Sequence, residues 1–130
     1  MVTRLVHIDD ASVHTQFVIS EDCVFVKNEM LSETGLIENA AQTCSAIVGQ
    51  SYFDKDDLQG EGNTLVGYIS AIKKVEIFGL PKQGEVIVTK ASLISRFDTG
   101  TVTICSIECS TFNNDELIVG CTLNFLIHEV

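Results

Sequence analysis

Two short runs in which apolar and polar residues alternate open the chain, 2–8 and 13–19, parted by the turn-forming Asp9-Asp10-Ala11-Ser12. Alternation with a period of two marks half-buried strands, so the pair reads as a hairpin. The stretch 20–32 that follows has no clear period. It leads into TGLIENAAQTCSAIVGQSYF, where Leu36, Ile37, Ala40, Ala41, Cys44, Ile47 and Val48 recur at helical spacing. That spacing predicts one long helix, with Ser32 or Thr34 as its cap. Its second face carries Glu38, Gln42, Ser45 and Gly49, all small or polar, while Ala40, Ala41 and Ala46 keep the cylinder thin enough to be surrounded by protein.

The polar, acidic stretch 54–63 shares two acidic positions, Asp54 and Asp56, with a calcium-binding loop. Its glycine falls one place late and no bidentate glutamate closes it, so a solvated loop is the expectation. Four strand-like runs follow: 65–78, 85–97, 100–112 and 116–128. The connections between them, 79–84, 98–100 and 113–115, are short and rich in turn residues, which predicts antiparallel neighbours. The order is strand, strand, helix, then four strands, with no repeat or linker to divide it. Residues 1–130 are expected to form a single α+β domain, an antiparallel sheet wrapped around one long helix. Long strands leave a sheet edge that a second copy can pair with, so a homodimer or a higher oligomer is expected.

Composition narrows the partners. The chain has 130 residues, 45% hydrophobic and 20% charged with one proline, which is globular composition. Its eight basic and eighteen acidic residues leave a net charge of -10, which repels nucleic-acid phosphates and anionic membrane surfaces. The start, MVTRLVHIDD, has no apolar signal segment, and no run is long and apolar enough to span a bilayer; a cytoplasmic location is the expectation. Cys23, Cys44, Cys105, Cys109 and Cys121 form an odd set without a CxxC spacing, and most sit in apolar or alternating segments. They are expected to be buried reduced thiols, with no metal site. No nucleotide, flavin or metal motif is present, so no cofactor is expected.

Two blocks carry a family resemblance. Gly35-Leu36-Ile37-Glu38-Asn39-Ala40-Ala41-Gln42 resembles the central-helix motif of the hotdog-fold 3-hydroxyacyl-(acyl carrier protein) dehydratases, with matches at Glu38, Ala41 and Gln42. Gly67-Tyr68-Ile69-Ser70-Ala71-Ile72-Lys73-Lys74, then Pro81 and Gly84-Glu85, is similar to that family's glycine- and lysine-bearing strand and the Pro-x-x-Gly-(Asp/Glu) turn after it. Val2-Thr3-Arg4-Leu5-Val6 resembles the strand that follows the family's leader; the leader itself is not in the sequence.

The resemblance implies a hotdog fold and action on 3-hydroxyacyl thioesters, carried by acyl carrier protein or coenzyme A, in fatty-acid or polyketide-type metabolism. Dehydration needs a base for the C2 proton and an acid for the departing hydroxyl. The family supplies these with a histidine and the helix glutamate. Glu38 matches the glutamate and is the expected catalytic residue. Gly35, Gln42, Asn28 and Gly67 are the expected substrate-binding positions. The region where the family has its histidine reads Cys23-Val24-Phe25-Val26-Lys27-Asn28-Glu29, without one. The chain's histidines, His7, His14 and His128, do not align with it. Two alternatives therefore stand beside the dehydratase reading: an acyl-CoA thioesterase using Glu38, and a noncatalytic acyl-thioester-binding subunit. Lys73, Lys74 and Lys82 are a candidate patch for an acidic carrier protein.

Overall fold

The computed structural model describes residues 2–9, 11–52 and 65–129. The stretch 54–63, compared above with a calcium loop, lies outside the described residues. The elements run β1 (Arg4–Ile8), β2 (Ser12–Val18), β3 (Val26–Lys27), β4 (Met30–Leu31), α1 (Glu33–Tyr52), β5 (Leu65–Ile77), β6 (Val86–Asp98), β7 (Val102–Asn113) and β8 (Glu116–Glu129). A six-stranded antiparallel sheet has the order β1-β2-β6-β7-β8-β5, and β3-β4 is a separate small ladder. Both predicted hairpins at the sheet's ends of sequence, β1-β2 and β7-β8, pair as expected. So does β6-β7.

One pairing differs from the sequence reading. β5 does not pair with β6; it lies beyond β8 as an edge strand. The 79–84 connection spends its backbone groups elsewhere. Pro81 O accepts from the N–H of Leu31 at 2.8 Å, Glu29 O from that of Gln83 at 2.8 Å, and Ile19 O from that of Gly84 at 2.7 Å. The connection is thus a crossing segment that docks on β4 and the end of β2. Passing from β5 to β6 spans three interstrand spacings, about 14 Å, which a six-residue connection can reach. The Gly84-Glu85 part of the family-like motif has a local cause: Gly84 has φ +88°, and Glu85 closes the turn. Glu85 Oε1 accepts from the N–H of Lys82 at 2.6 Å and Oε2 from Nδ2 of Asn113 at 3.3 Å. These bonds, the Lys82 amide first, hold the carboxyl below its ordinary value.

The aperiodic 20–32 stretch contains the β3-β4 hairpin, turned by Asn28 and Glu29 with φ 52° and 65°. Two consecutive left-handed residues are what a two-residue primed turn requires. The same device, Asn114 and Asp115 at φ 51° and 66°, joins β7 to β8.

Helix α1 lies across β2, β6 and β7 and reaches β8. Ser32 caps it: its hydroxyl accepts from the N–H of Gly35 at 3.3 Å, and its carbonyl from that of Leu36 at 3.0 Å. Glu33 in the first turn suits the positive end of the helix dipole. Two cores form on the inner side of the sheet. One joins Ala40, Cys44 and Ile47 of the helix to Val13, Ala91, Ile107, Leu123 and Phe125 of the strands. The other surrounds the helix start and the β3-β4 hairpin, with Phe17, Ile19, Leu31, Leu36, Ile87 and Val119.

All five cysteines are free thiols; Cys44, Cys105, Cys109 and Cys121 are buried and Cys23 is partly exposed. Cys109 and Cys121 are direct cross-strand partners. Contact with Cys109, and then burial, push the Cys121 thiol well up; burial raises that of Cys105. A thiol held protonated is a poor nucleophile. Iodoacetamide under native conditions is therefore expected to label Cys23 quickly and the other four only as the fold opens, a difference that peptide mass mapping over time would read. Fast labelling of Cys109 or Cys121 would contradict the packing described.

Candidate functional site

The buried face of α1 holds Leu36, Asn39, Ala40, Thr43, Cys44 and Ile47. At 100° per residue, Glu38, Gln42 and Ser45 come round to the opposite side, away from the sheet. Gln42 and Ser45 are exposed there and Glu38 is half-buried. Gln42 Nε2 donates to Glu38 Oε1 at 2.9 Å. This one-turn contact restrains the carboxylate while leaving it on an open flank. Edge strand β5 turns Ile69 and Ile72 to the inner side of the sheet, opposite Phe125 and Leu123, and both isoleucines are exposed. A restrained carboxylate on the helix and an uncovered apolar strip on the inner side of the edge strand are the two kinds of surface that an amphiphilic ligand with a reacting polar end requires.

The other expected site residues have distinct places. Gly35 is buried, and a Cβ there would stand 2.6 Å from Leu31 Cδ1 and 2.7 Å from Phe25 Cβ. The close approach of the β3-β4 segment to the helix start accounts for this glycine, and its N–H is engaged by Ser32. Asn28 forms the β3-β4 turn with its left-handed φ. Gly67 sits on β5 opposite Ile127. Among these positions, only Glu38 and Gln42 are joined by a hydrogen bond described here. Of the candidate lysines, Lys73 lies on the outer side of β5 opposite Thr122, Lys74 occupies a bulge with φ 47°, and Lys82 sits in the crossing segment.

The histidines lie on the wrong side of the sheet to assist Glu38. Val13 and Thr15 point inward and are buried, so His14 between them points outward, in line with Lys90. His7 pairs with His14, their rings 5.2 Å apart. Ile127 points inward, so His128 points outward and meets the Tyr68 ring edge-on. Within one chain, the helix and the sheet both separate these imidazoles from Glu38. His7, Asp9 and Ser12 do contact one another, His7 Nε2 lying 2.8 Å from Asp9 Oδ2 and 3.3 Å from Ser12 Oγ. One nitrogen makes both contacts, and Asp9 Oδ1 also accepts from the N–H groups of Ala11 and Ser12, so the group is a capped turn rather than a nucleophile relay.

Burial first, then the charges of Lys90 and His7, lower the His14 pKa from its ordinary value, with Asp9 acting the other way. The unfolded chain takes up the proton that native His14 resists. Its contribution to stability is therefore complete above the ordinary imidazole value and declines as pH falls below it. In an NMR titration His14 is expected below that value, and Lys90→Met is expected to raise it; an unmoved midpoint in the variant would sink the assignment.

A buried polar network, which the sequence reading passed over, pins the helix to the sheet. Thr89 Oγ1 donates to Asn39 Oδ1 at 2.6 Å and lies 2.9 Å from Thr111 Oγ1. Thr43 Oγ1 lies 2.9 Å from Asn39 O and 2.8 Å from Thr15 Oγ1. All five side chains are buried. The signal was available: Asn39 and Thr43 stand four apart on the apolar face of the helix, and the threonines occupy inward positions of alternating strands.

No family model and no curated protein sequence matches the chain. Solved structures do. The dehydratase heterocomplex ApeI:P from Xenorhabdus doucetiae is 18% identical, with 99% of this chain and 82% of that chain covered and a TM-score of 0.75. A hypothetical thioesterase protein with coenzyme A from Streptococcus pneumoniae TIGR4 is 12% identical, covering 97% and 85%, at 0.71. A phenylacetic acid degradation-related protein from Ralstonia eutropha JMP134 is 12% identical, covering 95% and 83%, at 0.70. At such identities the likeness speaks for the backbone alone, and with an antiparallel six-stranded sheet holding one long helix it shows that the chain has the hotdog fold.

Proposed function

We propose that the protein binds an acyl thioester along the open flank of α1 and that Glu38 is the acid–base group there, acting on a 3-hydroxyacyl thioester of acyl carrier protein or coenzyme A. The carrying observation is the Glu38 carboxylate, restrained by Gln42 at 2.9 Å on the flank of α1 turned away from the sheet; the exposed Ile69 and Ile72 on the inner side of edge strand β5 supply an apolar surface. The apolar strip would take the acyl chain, and β5, as a sheet edge, would pair with β5 of a second copy to wall the groove. In a dehydration Glu38 would take the C2 proton; the C3–O bond breaks, and the same carboxyl returns the proton to the departing hydroxide as water. One group doing both tasks is what the outward-facing histidines leave to this chain.

A second reading, thioester hydrolysis, is favoured by the same placement of the histidines, since activating one water needs one carboxylate. Incubating the purified protein and its Glu38→Gln variant with 3-hydroxyacyl, enoyl and saturated acyl thioesters, on each carrier, separates the readings. Interconversion of the first two that fails in the variant supports the dehydratase; release of free thiol that fails in the variant supports the hydrolase. Absence of turnover with equal acyl-thioester binding by both proteins would overturn both and leave a noncatalytic subunit.

A further inference from the structure

The side of the sheet turned away from the helix has a depression near the β7-β8 turn, across the sheet from Glu38. Its volume is about 430 Å³, and Val86, Val88, Lys90, Phe112, Asn114 and Asp115 line it. That is a size found for small-molecule sites. Ile87 and Thr89 are buried inward, so Val86, Val88 and Lys90 alternate with them on the outer side of β6. Phe112 is the register partner of Val88, and its neighbour Thr111 is likewise buried inward. The two valines and the ring make an apolar floor.

Strand register puts the two charged lining residues at opposite ends of that floor. Val86 and Lys90 stand about 14 Å apart along the extended strand. Asn114 and Asp115 turn the chain just beyond Asn113, the partner of Ile87, and so close the Val86 end. Lys90 Nζ lies 5.4 Å from the centroid of the Phe112 ring, leaning along the floor and away from Glu108, which stands two positions off in the Ser92 row. Among the described residues neither Lys90 nor Asp115 makes an ion pair, with the other or with any third group. Two opposite charges share one depression without meeting. The outward row through Lys90 is low: Ser110 and Gly120 follow it across β7 and β8, and a Cβ on Gly120 would meet nothing. The ammonium end is thus open to a ligand.

We propose that this depression binds a small ω-amino carboxylate, a zwitterion whose charges are separated by a short alkyl chain. Its carboxylate pairs with Lys90, its methylenes rest on Val86, Val88 and Phe112, and its ammonium pairs with Asp115. The alternatives each leave one end unmatched. An α-amino acid holds its two charges too close together to reach both ends of the floor. A plain carboxylate brings further negative charge to a chain at -10 and turns its apolar end toward Asp115, while a plain amine meets the Lys90 ammonium. The zwitterion is neutral overall and suffers neither repulsion. Exposed ion pairs contribute little each, so the covered alkyl chain and the match at both ends together set a dissociation constant on the order of 1 mM. This site does not depend on the thioester reading.

The experiment is an NMR titration of the protein with 6-aminohexanoate, hexanoate and hexylammonium, followed at the Phe112 ring and at His14, which stands beside Lys90 in the same outward row. The zwitterion is expected to shift the Phe112 resonances and to bind about three- to fivefold more tightly than either singly charged probe. Its carboxylate offsets the Lys90 charge that holds the His14 midpoint down, so that midpoint is expected to rise on binding. Asp115→Asn is expected to erase the preference over hexanoate, and Lys90→Met the preference over hexylammonium. Asparagine tolerates the left-handed φ of 66° at this turn position and Lys90 is exposed, so both variants are expected to fold. Circular dichroism checks that, and should either variant unfold, the three probes on the wild type decide. Phe112 resonances that do not move, hexanoate or hexylammonium binding as tightly as the zwitterion, or preferences that survive both substitutions would overturn the proposal.

Discussion

Asn39→Ala is expected to destabilise the protein by about 3 kcal/mol, on the order of a core truncation combined with a lost buried hydrogen bond. The side chain is fully buried and its Oδ1 accepts from Thr89 at 2.6 Å. Removing it empties space between helix and sheet and strips Thr89 of one partner, although Thr111 remains at 2.9 Å. Thr89→Val should cost less on its own, and the double variant should cost clearly less than the sum, because both changes break the same bond. Urea unfolding with an unchanged slope is the measurement. A loss below about 1 kcal/mol for Asn39→Ala would mean that the network decorates the core without holding it.

The second large effect is on rate. If Glu38 moves the proton, Glu38→Gln should lower turnover of the active thioester by roughly 10²–10⁴-fold while leaving the substrate's binding little changed, the range expected for one general acid–base group. The amide keeps the shape and can still pair with Gln42, so loss of activity without loss of stability isolates the proton transfer. Gln42→Leu tests a different claim. Gln42 acts through Glu38, so its loss should reduce the rate by about tenfold, the cost of an unrestrained base, and Gln42→Asn should not rescue it because the shorter arm cannot span one helical turn. Equal rates for Glu38→Gln and wild type would remove Glu38 from the chemistry.

Much of this was readable from the chain. Alternation located β2, β6, β7 and β8 to within a residue or two, because each has one buried and one outward face. The helix stripe gave the orientation of Glu38 and Gln42, since spacing by four fixes a shared flank. Strand order was harder. The short 79–84 connection carries the turn residues of a hairpin, and only the bonds of Leu31, Gln83 and Gly84 show that its backbone groups are committed to other segments. The polar network was missed for a related reason. Threonine at an inward strand position satisfies the alternation pattern as well as valine does, so Thr15, Thr89 and Thr111 draw notice only once Asn39 and Thr43 are seen above them. The outward rows depend on register, and therefore on the bulge between Leu93 and Ser95, which no local pattern announces.

Strand order also dictates when the molecule can become a molecule. β2 closes on β6, with Ser12 opposite Ser92, and the helix finds much of its cover on strands that come after it in the chain. As the polypeptide leaves the ribosome, the first hairpin and α1 emerge before the sheet they belong to exists. The apolar stripe of Leu36, Ala40, Cys44 and Ile47 then has only β2 to rest on until β6 and β7 have followed. Because those contacts join distant parts of the sequence, native assembly is expected to be slow, in the range of milliseconds to seconds, and to wait until β6 and β7 have been made.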